Sequence, residues 1–213
     1  MRNGRLGLVP LLLTLAVFAA AACGGDDDDK GGGAASIDDY EGAQVTPFFE
    51  KPDIVLTDTE GKPFDIRKET EGFLTIFYVG YTHCPDICPT TMYDISQVMK
   101  TLTNKQRSQI KVVFATADPG RDTPEVIREW LDRFDTSFIG LTGDSRQISD
   151  MLKQLLMGTP QRNDLGEGNY TVSHAAFAIA YTKDNTGRLL YPFGITQDVW
   201  KHDLPMLVNE TWK

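Results

Sequence analysis

The chain reads as an α/β protein whose mixed sheet is covered by helices on both faces, and three observations carry that reading. Two runs, Phe73-Leu-Thr-Ile-Phe-Tyr-Val79 and Ile110-Lys-Val-Val-Phe-Ala-Thr-Ala117, are almost continuously apolar, β-branched or aromatic, the pattern of strands buried on both faces. Apolar residues at spacings of three and four follow each run and mark amphipathic helices. The 213 residues are 41% hydrophobic and 24% charged, the composition of a globular chain and not of a disordered or collagenous one.

The elements follow in order. Asp53-Ile-Val-Leu-Thr57 and Pro63-Phe-Asp-Ile66 flank the Gly-containing turn Thr59-Glu-Gly-Lys62 and predict an N-terminal β-hairpin. After the strand at 73–79, Met92, Ile95, Val98, Met99 and Leu102 line one face of a helix expected from about Pro89 to Asn104. After the strand at 110–117, Asp122 or Thr123 caps a helix with Pro124 in its first position, running through Ile127, Trp130, Leu131 and Phe134. A third helix, about Ser145 to Met157, carries Ile148, Met151, Leu152, Leu155 and Leu156. Thr171–Tyr181 and Arg188–Phe193 read as strands joined by the turn Lys183-Asp-Asn-Thr-Gly187. The last helix starts near Gln197, and Pro205 must kink or divide it. Strand, helix, strand, helix, hairpin and terminal helix is a thioredoxin-like order.

The N-terminus reads as an address. Arg2 and Arg5 precede a nearly unbroken apolar run from Leu6 to Ala22, the outline of a signal peptide over residues 1–22. Ala20-Ala21-Ala22-Cys23 resembles a bacterial lipobox with Ala20 where Leu is usual, so Cys23 is expected to be acylated and to anchor the protein to the outer face of the cell membrane. A plain transmembrane anchor is the alternative. Residues 23–36 continue as Gly, Asp and Ala with no large apolar side chain, a flexible tether. Residues 37–213 contain no second linker of this kind and no internal repeat, and are expected to form one domain.

Charge removes one class of partner. Lys plus Arg number 21 against 30 Asp plus Glu, a net −9, and residues 1–22 hold two of the bases and no acid. A surface that neutralises phosphates is not expected, and nucleic acid is not an expected partner.

Three cysteines and three histidines are too few for a disulfide scaffold, but Cys84 and Cys88 lie four residues apart in Gly80-Tyr-Thr-His-Cys-Pro-Asp-Ile-Cys-Pro-Thr90. That segment sits where a buried strand turns into its helix, the end of an open α/β sheet at which ligands bind. Pro89 is expected at the first helical position. The cysteines would then occupy a loop ending at a helix N-terminus, whose amides and dipole favour thiolates. The spacing alone permits a disulfide or a metal site. Export to an oxidising compartment would require the pair to be oxidised, actively reduced or metal-bound.

Tyr81-Thr-His-Cys-Pro-Asp-Ile-Cys-Pro89, Asp118-Pro-Gly-Arg-Asp-Thr-Pro124, Phe138-Ile-Gly-Leu-Thr-Gly143 and Val172-Ser-His174 together resemble the successive motifs of the Sco/SenC proteins, over about residues 50 to 205. The resemblance implies a thioredoxin-like fold and a membrane-tethered protein outside the cytoplasm. It implies copper bound through two loop cysteines and a distant histidine, here Cys84, Cys88 and His174. The implied role is assembly of the dinuclear copper site of cytochrome c oxidase. The implied partners are the oxidase subunit that holds this site, an upstream copper donor and a thiol reductase. The family usually carries Asp before that histidine, and this chain has Ser173.

Donor chemistry points the same way: two thiolates and an imidazole suit Cu(I) and leave the metal open to exchange, with Cu(II) as a second cargo, whereas structural zinc takes four protein ligands. His83 and Asp86 are expected beside the metal without touching it, since neighbours in an extended segment point apart and a carboxylate is harder than Cu(I) prefers. His202 reads as a surface residue, Met92 and Met99 as core, and the Asp118–Pro124 motif as a turn and helix cap. The expected function is binding and transfer without turnover of a small molecule. Thiol–disulfide exchange through Cys84 and Cys88 is the alternative. A peroxidase is disfavoured, because Thr82-His-Cys84 is one residue short of Thr-x-x-Cys.

Overall fold

The computed structural model describes residues 36–210. The expected signal peptide over residues 1–22, Cys23 and the expected tether as far as residue 35 lie outside the described residues. After a 3₁₀ turn at Ile37–Asp39, ten strands and six helices follow: β1 (Ala43–Glu50), β2 (Val55–Asp58), β3 (Pro63–Asp65), α1 (Ile66–Glu69), β4 (Leu74–Gly80), α2 (Ile87–Thr101), α3 (Asn104–Arg107), β5 (Ile110–Thr116), α4 (Pro124–Leu131), β6 (Ile139–Thr142), α5 (Ser145–Gln154), β7 (Gln161–Gly166), β8 (Asn169–Ser173), β9 (Phe177–Tyr181), β10 (Thr186–Pro192) and α6 (Gln197–Asn209).

Eight strands form one mixed sheet in the order β1-β10-β9-β4-β5-β6-β2-β3. β4, β5 and β6 are parallel, and β9, β10 and the β2–β3 hairpin pair antiparallel around them. All seven residues of β4 are buried, because helices cover both faces of a parallel centre. The α/β, thioredoxin-like class read from the sequence is the fold observed. Met92, Ile95, Val98 and Met99 of α2 and Ile127, Trp130 and Leu131 of α4 belong to the core beside the sheet.

Several local expectations are corrected. α2 begins at Ile87, so Pro89 is its third residue and Cys88 already belongs to its first turn; proline fits there because the first four amides of a helix have no acceptor inside it. α5 stops at Gln154, since Leu156 has φ 54° and is exposed. α4 ends at Leu131, short of Phe134. Of the two outcomes expected at Pro205, division is excluded, since α6 continues through it.

The largest difference lies at the expected strand Thr171–Tyr181. It is two strands: β8 pairs with β7 in a separate two-stranded sheet, β9 pairs with β4, and residues 174–176 between them belong to neither. His174 occupies that break.

Candidate metal centre

Buried β4 delivers the chain to the carboxyl edge of the sheet, where Gly80 ends the strand and the segment 81–86 crosses to α2. A Cβ on Gly80 would lie 2.8 Å from the Tyr78 ring, 2.9 Å from the Phe114 ring and 3.0 Å from the Cys88 sulfur. Glycine is therefore required by space alone. Cys88 is fully buried in the first turn of α2, whereas Cys84 is partly exposed, and neither is in a disulfide.

The α2 N-terminus acts on the outer cysteine. The Cys88 amide donates to Cys84 Sγ at 3.4 Å, the interaction expected of a sulfur at an unsatisfied helix end. The Cys88 thiol also faces this sulfur. Its hydrogen bond is the first cause of the lowering of the Cys84 pKa to about 3, with further support from His174 and the amides of residues 88 and 86. Cys88 shifts the opposite way, upward, because its proton serves Cys84 and because it is buried. The reduced pair is thus one thiolate at the mouth and one thiol beneath it. Tyr78 Oη donates to Cys88 Sγ at 3.6 Å.

His174 arrives from the break after β8. Its Nε2 lies 3.6 Å from Cys88 Sγ, and its Nδ1 lies 2.9 Å from the Ala175 carbonyl oxygen. A carbonyl can only accept, so Nδ1 carries a proton and Nε2 is the ring nitrogen that faces the sulfurs. Tyr81 and Tyr78 set their rings edge-on to the imidazole at 5.7 and 6.4 Å. Cys84 and His174 line a cleft of about 370 Å³ with Tyr81, Pro85, Ile87 and Val172.

The three expected donors are therefore brought to one place by elements 86 residues apart. Among the described residues no group of three His, Cys, Asp or Glu side chains is drawn tightly enough to hold an ion as it stands. The donor set suits a soft, low-coordinate metal that pulls the groups inward, and it lacks the fourth ligand of a structural zinc site.

The neighbours separate in role. His83 turns away from the sulfurs: its Nδ1 is 3.0 Å from Thr82 Oγ1 and 3.6 Å from Asp122 Oδ1. Asp86 is the N-cap position of α2, its side chain makes no capping bond, and it lines the cleft. Ser173 is exposed and accepts from Asn163 Nδ2 at 2.8 Å. His202 pairs with Asp203 on α6, and this contact raises its pKa.

The Asp118–Pro124 motif does more than form a turn and cap. Thr123 caps α4, but the fully buried Asp122 carboxylate accepts from the Thr82 amide at 2.9 Å, the Thr82 hydroxyl at 2.6 Å and the Thr116 hydroxyl at 2.7 Å. It fastens the cysteine segment to the end of β5. An acid flanked by Pro, Gly and Thr carries a turn signature in sequence, and nothing local reveals a partner 40 residues upstream.

Residues 43–209 match the SCO1/SenC family model. A SCO2-like protein of Rickettsia felis is 38% identical over 142 residues, which are 66% of this chain and 67% of that protein. Among solved structures, apo Sco1 of Thermus thermophilus superposes with a TM-score of 0.70 at 27% identity, covering 79% of this chain and 96% of that one. ScoI of Bradyrhizobium japonicum with copper bound gives 0.65 at 31% identity, covering 74% and 99%.

Proposed function

The chain belongs to the SCO1/SenC family, and from that premise we propose that it is a copper-transfer protein that takes its cargo on Cys84, Cys88 and His174 outside the cytoplasm. Delivery is to the dinuclear copper site of cytochrome c oxidase, from an upstream copper donor, with acylated Cys23 holding the domain near the membrane. The relative from Bradyrhizobium japonicum was solved with copper bound. The observation that carries the proposal is the approach of His174 Nε2 to Cys88 Sγ at 3.6 Å, with Nδ1 committed to the Ala175 carbonyl. That arrangement presents one nitrogen lone pair beside two sulfurs.

Each residue has a separable task. Cys84, half open to the cleft and already a thiolate, meets the incoming ion first. Cys88 then gives up its proton, and His174 adds its Nε2 nitrogen. Three donors leave an open side from which a partner can take the ion by exchange. Asp86 lines the cleft and His83 turns toward Asp122, and neither supplies a donor.

The test is anaerobic titration of the reduced protein with Cu(I) against a competing chelator. One equivalent is expected for the dithiol form and little uptake for the disulfide form, because a disulfide has no thiolate to offer. Equal uptake by both forms would remove Cys84 and Cys88 from the site. Mass spectrometry of membrane-associated protein tests Cys23: diacylglyceryl on a chain beginning at Cys23 is expected, and an unmodified Cys23 in a chain retaining residues 1–22 overturns it.

One observation favours a second reading, thiol–disulfide exchange that keeps the oxidase cysteines reduced. The lowered Cys84 pKa beside a protonated Cys88 suits attack on a partner disulfide. Cys84 sulfur would form the mixed disulfide and release one partner thiol. Cys88, once deprotonated, would then attack Cys84 sulfur and release the second as the pair becomes a disulfide.

A further inference from the structure

The sheet that leads into His174 has no backbone pairing with the main sheet: β7 and β8 pair only with each other. A two-stranded ribbon is marginal by itself, and all six residues of β7 are exposed. Side chains must therefore seat the arm: Val172 of β8 is buried in the core, and the polar contacts converge on one turn.

Tyr170 of β8 is the attachment point. Arg121 lays its guanidinium 3.5 Å over the Tyr170 ring and donates from Nη1 to the Tyr170 carbonyl at 3.1 Å. The same guanidinium donates from Nε to Asp118 Oδ2 at 2.6 Å, and the Tyr170 hydroxyl donates to Asp118 Oδ1 at 3.0 Å. Arg162 of β7 covers the opposite face of the ring at 3.7 Å. The next residue after Arg121 is Asp122, which holds Thr82 of the cysteine segment. One short turn thus grips the histidine arm on one side and the cysteine segment on the other, with Arg121 also 5.9 Å from the Tyr81 ring between them.

From this geometry we infer that Arg121 is a positioning residue that sets the separation of His174 from the cysteine pair by seating Tyr170. The inference rests on the proposed copper site for its consequence, but its geometric part concerns the metal-free protein. Arg121 touches none of the three donors. It acts through the arm, as a planar cation that stacks, donates to a carbonyl and pairs with a carboxylate at once. Lysine cannot make all three contacts.

The experiment compares the reduced full chain with Arg121→Gln, Tyr170→Leu, His174→Ala and the double variant Arg121→Gln/His174→Ala. In the metal-free proteins, nuclear Overhauser contacts between the His174 and Tyr81 rings are expected to weaken or vanish in Arg121→Gln and Tyr170→Leu. With Cu(I) and a competing chelator, both variants are expected to lose about 10- to 100-fold in affinity and to lose the nitrogen donor in X-ray absorption, while their rate of disulfide exchange stays at the wild-type value. The double variant should bind no worse than His174→Ala, since both changes remove the same donor. Retention of the ring contacts and the nitrogen donor in Arg121→Gln overturns the inference. So does a loss that multiplies with that of His174→Ala, or a parallel fall in disulfide exchange, which would mark a general structural role. If Arg121→Gln does not fold, Tyr170→Leu decides, because it leaves the Arg121–Asp118 pair in place. If the wild type takes up no Cu(I), the copper proposal fails while the ring contacts still decide the role of Arg121.

Discussion

Asp122 accepts both hydrogens that Thr82 has to offer, the amide at 2.9 Å and the hydroxyl at 2.6 Å, across 40 residues of sequence. With the Thr116 hydroxyl at 2.7 Å, three donors share one carboxylate that is fully buried. Hydrogen bonds to a charged group are worth more than neutral ones, and each donor left without a partner adds its own desolvation cost.

Asp122→Ala is accordingly expected to destabilise the protein by about 3 kcal/mol or more and to loosen the cysteine segment. Urea denaturation measures the first effect. Amide exchange at Thr82 and Cys84, faster than at β4 in the variant, measures the second. Asn at the same position keeps one acceptor and should fall between the two.

The reduced cysteine pair should carry a pH signature. Cys84 titrates near 3 because the Cys88 thiol donates to it, against about 8.5 for a thiol in an unfolded chain. A folded-state value below the unfolded one means that this contribution to stability is complete above about 8.5 and disappears as pH falls through about 3. Cys88, shifted upward, acts in the opposite sense above the ordinary thiol range. Brief alkylation at pH 5 is expected to label Cys84 and spare Cys88, with peptide mapping as the readout. Equal labelling, or labelling of Cys88 first, would contradict the assignment of thiolate and thiol.

Gly80→Ala should show that a methyl group is too much at the end of β4. Its Cβ would sit 3.0 Å or less from two rings and the Cys88 sulfur, and overpacking of this kind costs about 1–3 kcal/mol. Relief requires movement of Tyr78, Phe114 or Cys88, and Tyr78 is itself bonded to the Cys88 sulfur. The variant is expected to melt earlier and to hold Cu(I) more weakly, whereas alanine at exposed Gly158, with no atom in reach, should change neither.

His174→Ala separates transfer from exchange. Two sulfurs can still hold Cu(I) linearly, so the expected result is altered coordination and weaker retention, with a larger loss for Cu(II), which prefers nitrogen donors in a tetragonal site. Disulfide exchange should continue, as Cys84 and Cys88 remain. X-ray absorption of the loaded variant, its exchange rate and oxidase activity in cells are the measurements. An unchanged copper spectrum with full oxidase assembly would leave His174 outside the site.

The parts of the fold legible in sequence are those whose burial is regular. β4 and β5 are apolar on both faces, α2 repeats its core residues at three and four, and the β2–β3 turn contains Gly61 with φ 77°. The β7–β8 ribbon is exposed along β7 and contains no run of core residues, so periodicity gives no sign of it. β1 escapes the pattern for a related reason: it is an outer strand, largely exposed, with Pro47 inside it. The run from Thr171 to Tyr181 reads as one strand because Val172 and Ile179 are buried on both sides of the break. Only pairing with two different sheets divides it. Of the site, the Cys84–Cys88 pair is plain from its spacing, and His174 followed from family resemblance. The ties from Asp122 to Thr82 and from Arg121 to Tyr170 are contacts across 40 and 49 residues, which no local pattern encodes.

The break between β8 and β9 also fixes when the donor set becomes complete. Cys84 and Cys88 are near one another in any conformation of the chain, whereas His174 lies beside them in a fold where β9 is aligned against β4, with Tyr78 opposite Ala178. Closing a loop of that length is the slow, entropically costly part of building such a sheet. A chain without that pairing keeps its two sulfurs close in sequence but lacks the nitrogen, so completeness of the proposed donor set reports on the assembled sheet and not on the cysteine segment alone.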